Sequence, residues 1–212
     1  MNSPGTPLAP GRRSLLLAAA ALLCLPRSAQ AGAQVEEPLA DAVRTALAAS
    51  VANSAPPRPR FDQIDERLAY LRWLGAMSEK LKKRKSEAQI RIEFLETLWY
   101  ESKRAGLEPS LVLGLVQVES GFRKYAISIA GARGYMQVMP FWAKLIGDGQ
   151  ASRLFHMQTN LRFGCVILRH YLDREQGDLY LALGRYNGSR GRPEYPRAVF
   201  AARKQWLMPG EV

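Results

Sequence analysis

The chain has 212 residues, 47% of them apolar, and a formal net charge of +11. That length suits one domain with extensions, and that apolar fraction excludes wholesale disorder. The basic excess points to an anionic partner (nucleic acid, lipid headgroups or an acidic wall polymer) or to a surface that is merely solubilising. There is no zinc-type Cys/His spacing, no phosphate-binding glycine loop and no nucleic-acid-binding signature.

Residues 1–31 read as a secretory signal peptide. Arg12 and Arg13 precede a short apolar stretch over 14–25, and Ala29-Gln30-Ala31 offers small residues for cleavage. The stretch is shorter than the roughly 20 residues that span a bilayer. The expectation is export to the periplasm or cell envelope, with a new N-terminus near Gly32. Export through the paired arginines ranks second, because their flanks fit that signal poorly. Lipid attachment at Cys24 is weak, because Leu22 and Leu23 are bulky. The leader has no acid and three cations, Arg12, Arg13 and Arg27, which leaves +8 for the rest. If the leader is removed, Cys165 is the only cysteine, so no disulfide framework is expected.

Residues 32–60 read as a flexible, Ala/Pro-rich segment and linker. Leu39, Val43, Leu47 and Val51 have helical spacing, so a marginal helix is expected, and SAPPRPR over 54–60 ends it. Residues 61–106 read as a helical extension. One apolar stripe is expected at Ile64, Leu68, Leu71, Met77 and Leu81, and another at Ile90, Phe94, Leu98 and Glu101. Between them the run KLKKRKSE is either a solvated turn, the favoured reading, or a patch for an anionic surface. Ala105-Gly106 breaks the helix and Pro109 opens the next, PSLVLGLVQVES.

On that helix Val112, Leu115, Val116 and Glu119 fall on one side. A carboxylate on an apolar face must be paired, hydrogen-bonded or kept protonated, and the last case describes a general acid. The alternative is a glutamate at a frayed helix end whose head reaches water. Beyond it lies a loop with Gly121, Gly131 and Gly134, and a small irregular hairpin is expected near 125–138. Helices are then expected from Pro140, over 159–176, over 179–186 with Asp178 as cap, and over 194–206. Leu161, Cys165, Leu168 and Leu172 share a face, so Cys165 reads as a small core residue. The fold class is all-α.

Three blocks carry a resemblance. Glu119-Ser120 is followed by Ala126-Ile127-Ser128 and by GARGYMQVMP over 131–140. Asn160 and Gly164 then form an N-x-x-x-G pattern, and LALGRYNG covers 181–188. In this order they resemble the soluble lytic transglycosylase (SLT) family, whose catalytic domain is lysozyme-like, of the goose type. The likeness covers roughly residues 107–200, so the catalytic domain is placed at 107–212. It implies non-hydrolytic cleavage of the β-1,4 bond between N-acetylmuramic acid and N-acetylglucosamine, leaving 1,6-anhydromuramyl ends, with no metal and no cofactor.

The resemblance further implies Glu119 as acid and then base. It places Ser128, Met136 (through its backbone), Gln137, Tyr186 and Asn187 along the glycan, with the Tyr186-Asn187 pair facing the acid. Two positions depart from the family pattern: Tyr135 stands for a leucine, which puts an aromatic at the groove, and Arg185 for an alanine. The implied partner is the peptidoglycan strand, with no nucleic acid and no stable membrane span; a partner in envelope machinery, recruited through the N-terminal helices, stays open. Two rival readings remain. One is a goose-type hydrolase, for which Asp148 is the sole nearby second acid; the other is an inactive wall-binding assembly module.

Overall fold

The computed structural model describes residue 34, residues 36–52 and residues 59–209; the expected leader lies outside them. Among these residues eight α-helices run in order: α1 (Asp41–Ala52), α2 (Ile64–Leu81), α3 (Ala88–Arg104), α4 (Pro109–Ser120), α5 (Pro140–Ile146), α6 (Met157–Arg174), α7 (Leu179–Asn187) and α8 (Glu194–Lys204). A 3-10 helix, Ala151–Phe155, precedes α6. No strand forms among the described residues. Two isolated antiparallel bridges, Ile127 to Arg133 and Arg133 to Val138, fold the α4–α5 loop on itself where the hairpin was expected. The all-α class read from the sequence is the one found, and no described helix is long and apolar enough to cross a membrane.

Helix α4 is the central element. It begins with Pro at its first turn, where a missing N–H costs nothing, and ends at Gly121, whose φ of 57° is left-handed. A helix that is apolar around most of its girth must be buried, and Leu111, Val112, Leu113, Leu115 and Val116 all are. Its heaviest packing is against α8. Gly114 makes this crossing close: a Cβ there would lie 2.7 Å from the Arg203 backbone nitrogen.

The stripe expected on α2 holds at Met77 and Leu81, which are buried, and fails over the first two turns. Ile64 (79%), Leu68 (42%) and Leu71 (49%) are exposed, while Tyr70, Trp73, Leu74, Met77 and Leu81 are buried. In those first turns Tyr70, Trp73 and Leu74 take the inward face instead, because two large aromatic surfaces outweigh the aliphatic positions. On α3, Ile90 is likewise exposed, while Phe94, Leu95, Leu98 and Glu101 face the core.

The boundary expected near residue 106 falls inside one continuous core that runs from Leu47 through α3 and α4 to Trp206. Across it, Glu101 of α3 accepts from Arg162 of α6 at 2.7 and 3.0 Å, and both side chains are at most 5% exposed.

Much of the segment expected to be flexible is docked. Helix α1 packs on α5 and α6 with Leu47 buried. Ahead of it, Gln34 accepts from the Trp142 indole at 3.0 Å, and Glu37 pairs with Arg174 and Arg185. The basic run forms the α2–α3 turn. Lys80 donates to the Leu207 carbonyl at 2.8 Å, Arg84 lies over the Phe122 and Trp206 rings, and Lys85 donates to the Tyr135 hydroxyl at 2.7 Å. Three of its cations thus fold onto the protein itself.

Candidate active site

Glu119 sits in the last turn of α4 and is 5% exposed. Among the described residues no cation pairs with it. Its Oε1 accepts from the Tyr195 hydroxyl at 2.5 Å, and its Oε2 is buried without a partner. Burial pushes the carboxyl up to about 8, against the opposing pull of the Tyr195 hydrogen bond. The C-terminal end of a helix also disfavours an anion. The group is therefore protonated at neutral pH, as a general acid must be. Tyr195 comes from the first turn of α8, and the close α4–α8 crossing at Gly114 brings it to Glu119.

The loop after α4 is held from two sides. On the α4 side, the Ser120 hydroxyl donates to the Tyr135 carbonyl at 2.7 Å. On the α6 side, Asn160 is fully buried and spends its whole amide on the loop. Its Oδ1 accepts from the Met136 N–H at 2.8 Å, and its Nδ2 donates to the carbonyls of Arg133 and Leu154, each at 2.8 Å. One turn later Gly164 leaves room for the Met136 side chain, since a Cβ there would lie 2.3 Å from the Met136 sulfur. The spacing of Asn160 and Gly164 puts an anchor and a socket on one face of α6. Gly134, at φ 76°, passes so near Asn160 that a Cβ would lie 2.4 Å from its Nδ2.

Residues 97–208 match the family described as the transglycosylase SLT domain. The chain belongs to the SLT family. It is 36% identical over 114 residues to a membrane-bound lytic murein transglycosylase C of Actinobacillus pleuropneumoniae, covering 47% of this chain and 31% of that protein. It is 36% identical over 104 residues to a transglycosylase of Enterobacteria phage PRD1, covering 49% of this chain and 38% of that one. The chain thus spans about a third of the length of these relatives. A crystal structure of an inactive mutant of the lytic transglycosylase Slt from Pseudomonas aeruginosa aligns over 66% of this chain and 27% of its own, at 23% identity and a TM-score of 0.43.

The residues that the SLT resemblance singled out gather around the loop, with different partners from those expected. Tyr186 is fully buried beside Glu119, yet its hydroxyl donates to the Met136 carbonyl at 2.7 Å. The tyrosine on the acid is Tyr195, which sequence reasoning missed. A tyrosine in the first turn of an amphipathic helix was the available signal, because a buried phenol needs a partner.

Met136 is fully buried. Its side chain fills the core at Gly164, and its backbone N–H and carbonyl serve Asn160 and Tyr186. Gln137, at φ 48° and 2% exposed, donates its amide to the carbonyls of Ala126 and Gly134. Ser128 accepts from the Ala132 N–H at 3.1 Å and keeps its own proton to donate. Asn187 donates to the Ser189 hydroxyl at 3.0 Å, and its Oδ1 is buried without a partner.

Both departures from the SLT pattern turn away from the loop. Tyr135 is 1% exposed, its ring 4.9 Å from that of Phe94 and its hydroxyl on Lys85; it borders a cleft shared with Tyr70, Thr97 and Lys124, and Glu119 is not in that lining. Arg185 pairs with Glu37 and Glu175. Asp148 is a surface carboxylate that accepts from the Gln150 N–H at 3.0 Å and pairs with Arg153; these two hold it below the usual range. It lines a cleft with Ala48, Val51 and Phe163, and Glu119 is not in that lining. Cys165 is buried and its thiol is pushed up by burial, as a core cysteine's should be. On the loop's outer side Tyr125 (70%), Ile127 (65%) and Ile129 (97%) are exposed around Ser128.

Proposed function

We propose that the chain is a peptidoglycan lytic transglycosylase of the cell envelope, exported to the periplasm. The observation that carries this reading is a buried, unpaired carboxyl raised to about 8, at the motif glutamate of an SLT domain. Glu101 is the useful contrast: it is equally buried but paired with Arg162, whereas Glu119 has no cation beside it among the described residues and is read as the proton donor.

In the first step Glu119 gives its proton to the glycosidic oxygen, and the C1–O bond breaks as the muramyl sugar becomes oxocarbenium-like. The Tyr195 hydroxyl then stabilises the new carboxylate. In the second step the C6 hydroxyl oxygen of that sugar bonds to C1, and its proton returns to Glu119. One residue serves twice, no water is consumed, and the ring closes as a 1,6-anhydro end. The Ser128 hydroxyl and the carbonyl side of Asn187, both with hydrogen-bonding capacity to spare, are assigned to the sugar substituents. Gln137 and Met136 hold the wall of the groove. A hydrolase would need a second carboxylate to aim a water, and Asp148 is committed elsewhere.

Mass spectrometry of a peptidoglycan digest tests the assignment. The expected products carry anhydro ends, one water lighter than reducing ends. Reducing ends would make the enzyme a hydrolase. Glu119→Gln is expected to lose at least about 10²-fold in cleavage with the fold kept. Retained cleavage by the folded variant removes Glu119 from the mechanism. A chain that binds wall but yields neither product is the assembly module.

A further inference from the structure

The mechanism leaves unused a contact between the N-terminal segment and the far side of the active-site tyrosine. Gln34 is 5% exposed, although it lies outside the SLT match and its side chain is a primary amide. Its Oε1 accepts from the Trp142 indole on α5 at 3.0 Å. Its Nε2 is buried without a hydrogen-bond partner, and the amide is near enough to Tyr186 to pull that phenol's ionisation down against the larger effect of burial. That hydroxyl donates its proton to the Met136 carbonyl and so has lone pairs free to accept.

Three residues further on, Glu37 accepts from Arg185 at 3.0 Å and pairs with Arg174. Arg185 is the departure from the family's YN block that has no role at the loop. Its partner Glu175 also accepts from Arg190, and with Arg190 first and Arg185 next these hydrogen bonds hold the Glu175 carboxyl down to about 2. Leu39 then packs on the core ahead of α1, which lies on α5 and α6. In chain order a buried amide at Gln34, an anionic anchor at Glu37 and a docked helix from Asp41 succeed one another.

We infer that the segment carrying Gln34 and Glu37 is a clasp on the catalytic domain, in which Gln34 is a positioning residue that fixes Tyr186 and keeps water from the acid Glu119. The inference rests on the reading of Glu119 as that acid. Arg185 is then the clasp's receptor, which explains why a long cation replaces a small residue there.

Glu119 is faced by Tyr195 from α8 and by Tyr186 from α7. Tyr186 is in turn faced by Cys165 and Tyr171 of α6 and by Gln34. The phenols and the thiol are neutral at working pH, because burial first of all holds the Tyr195 and Tyr186 phenols well above their ordinary value, Tyr171 up to about 12 and the thiol upward. Removing the neutral amide therefore changes no charge around Glu119; it takes the acceptor from the Trp142 indole and opens the space behind Tyr186 to water.

The test is the titration of the Glu119 carboxyl, followed by its carbon-13 shift in the full-length mature protein, together with the pH profile of anhydro-product release. In Gln34→Ala the carboxyl is expected to titrate ~1 pH unit lower, because admitted water relieves desolvation. The alkaline limb of activity should move with it, and kcat should fall while KM holds. Glu37→Gln loosens the anchor without entering the core, so it reads the same effect, in the same direction and smaller, if Gln34→Ala fails to fold. Arg44→Ala, on the exposed face of α1, is the control. A folded Gln34→Ala or Glu37→Gln that titrates where the wild type does overturns the clasp, whatever its melting temperature. Failure of the acid reading is a separate outcome, because cleavage by Glu119→Gln removes the acid without touching the titration result.

Discussion

Two buried glutamates with opposite fates show what the residue scale decides. Glu101 meets a guanidinium; Glu119, among the described residues, meets phenols and no cation, and burial holds it protonated. The Tyr195 hydroxyl donates to Glu119 and so favours its charged form, the lesser of two opposing effects. In Tyr195→Phe the carboxyl loses that donor and should titrate higher still, by about one unit for a charge-assisted bond of ~1.5 kcal/mol. The alkaline limb of activity would move up, and a limb that moves down would mean that Tyr195 acts on Glu119 by some route other than this bond. The raised value also destabilises the fold in a defined window. Below the ordinary value of 4.5 both the folded and unfolded carboxyls are protonated, and nothing is lost. As pH rises from there to about 8 the unfolded chain gives up a proton that the folded one keeps, so stability falls with pH. Glu119→Gln is therefore expected to melt above wild type at pH 8, by a margin that vanishes near pH 4. A margin that is the same at both pH values would show that the carboxyl is not raised.

At the scale of elements, two glycines in helix interiors make opposite demands. Gly75 in α2 has open space around it, so Gly75→Ala should stabilise by about 1 kcal/mol through helix propensity alone. Gly114 in α4 meets the α8 backbone, which cannot rotate away as a side-chain tip can. Gly114→Ala should cost ~1–3 kcal/mol net and draw Tyr195 off Glu119, so that melting temperature and the alkaline limb shift together. A stabilised Gly114→Ala with wild-type activity would mean that the α4–α8 crossing has slack. Neither glycine can be told from the other in the sequence, because only the partner helix separates them. Boundaries were legible wherever a local signal writes them: Pro109 opens α4, and Asp178 caps α7 by accepting from the Leu181 N–H. Partners across the chain were not. Tyr195 lies 76 residues from Glu119, and Gln34 and Glu37 are polar residues with no periodicity, so nothing local marks them as docked. The α2 stripe failed only at Ile64, Leu68 and Leu71, for a different reason: two helical phases were available there and aromatic area chose between them, while Met77 and Leu81 are buried as expected.

At the scale of the molecule, the family match begins at residue 97, inside α3, while the core extends back through α2 to α1. The helices before α4 are therefore part of what holds the acid in place. Phe94, Leu95 and Leu98 are each fully buried, Lys85 caps the Tyr135 phenol, and Arg91 ties the α2–α3 turn by donating to the Lys85 and Ser86 carbonyls at 2.6 and 2.9 Å. This leaves Lys82 and Lys83 as the exposed cations of the basic run that make no contact with the core, Lys82 having only a loose pair with Glu79 at 3.7 Å. Neutralising these two should weaken wall binding at low salt and leave melting unchanged, because exposed charges are screened over roughly 8 Å at physiological ionic strength. Lys85→Gln, by contrast, should cost stability. The sharper test of continuity is the buried pair that joins α3 to α6. Removing the Glu101 carboxylate by Glu101→Ala strands the Arg162 guanidinium, 4% exposed, from its anionic partner, which should cost ~3 kcal/mol or more. A chain begun at Leu107 loses that carboxylate together with the three core side chains of α3, so it should not fold cooperatively, as thermal melting with far-ultraviolet dichroism would show. A cooperative, active 107–212 fragment would make residues 107–212 a domain in their own right and reduce α2 and α3 to an appendage.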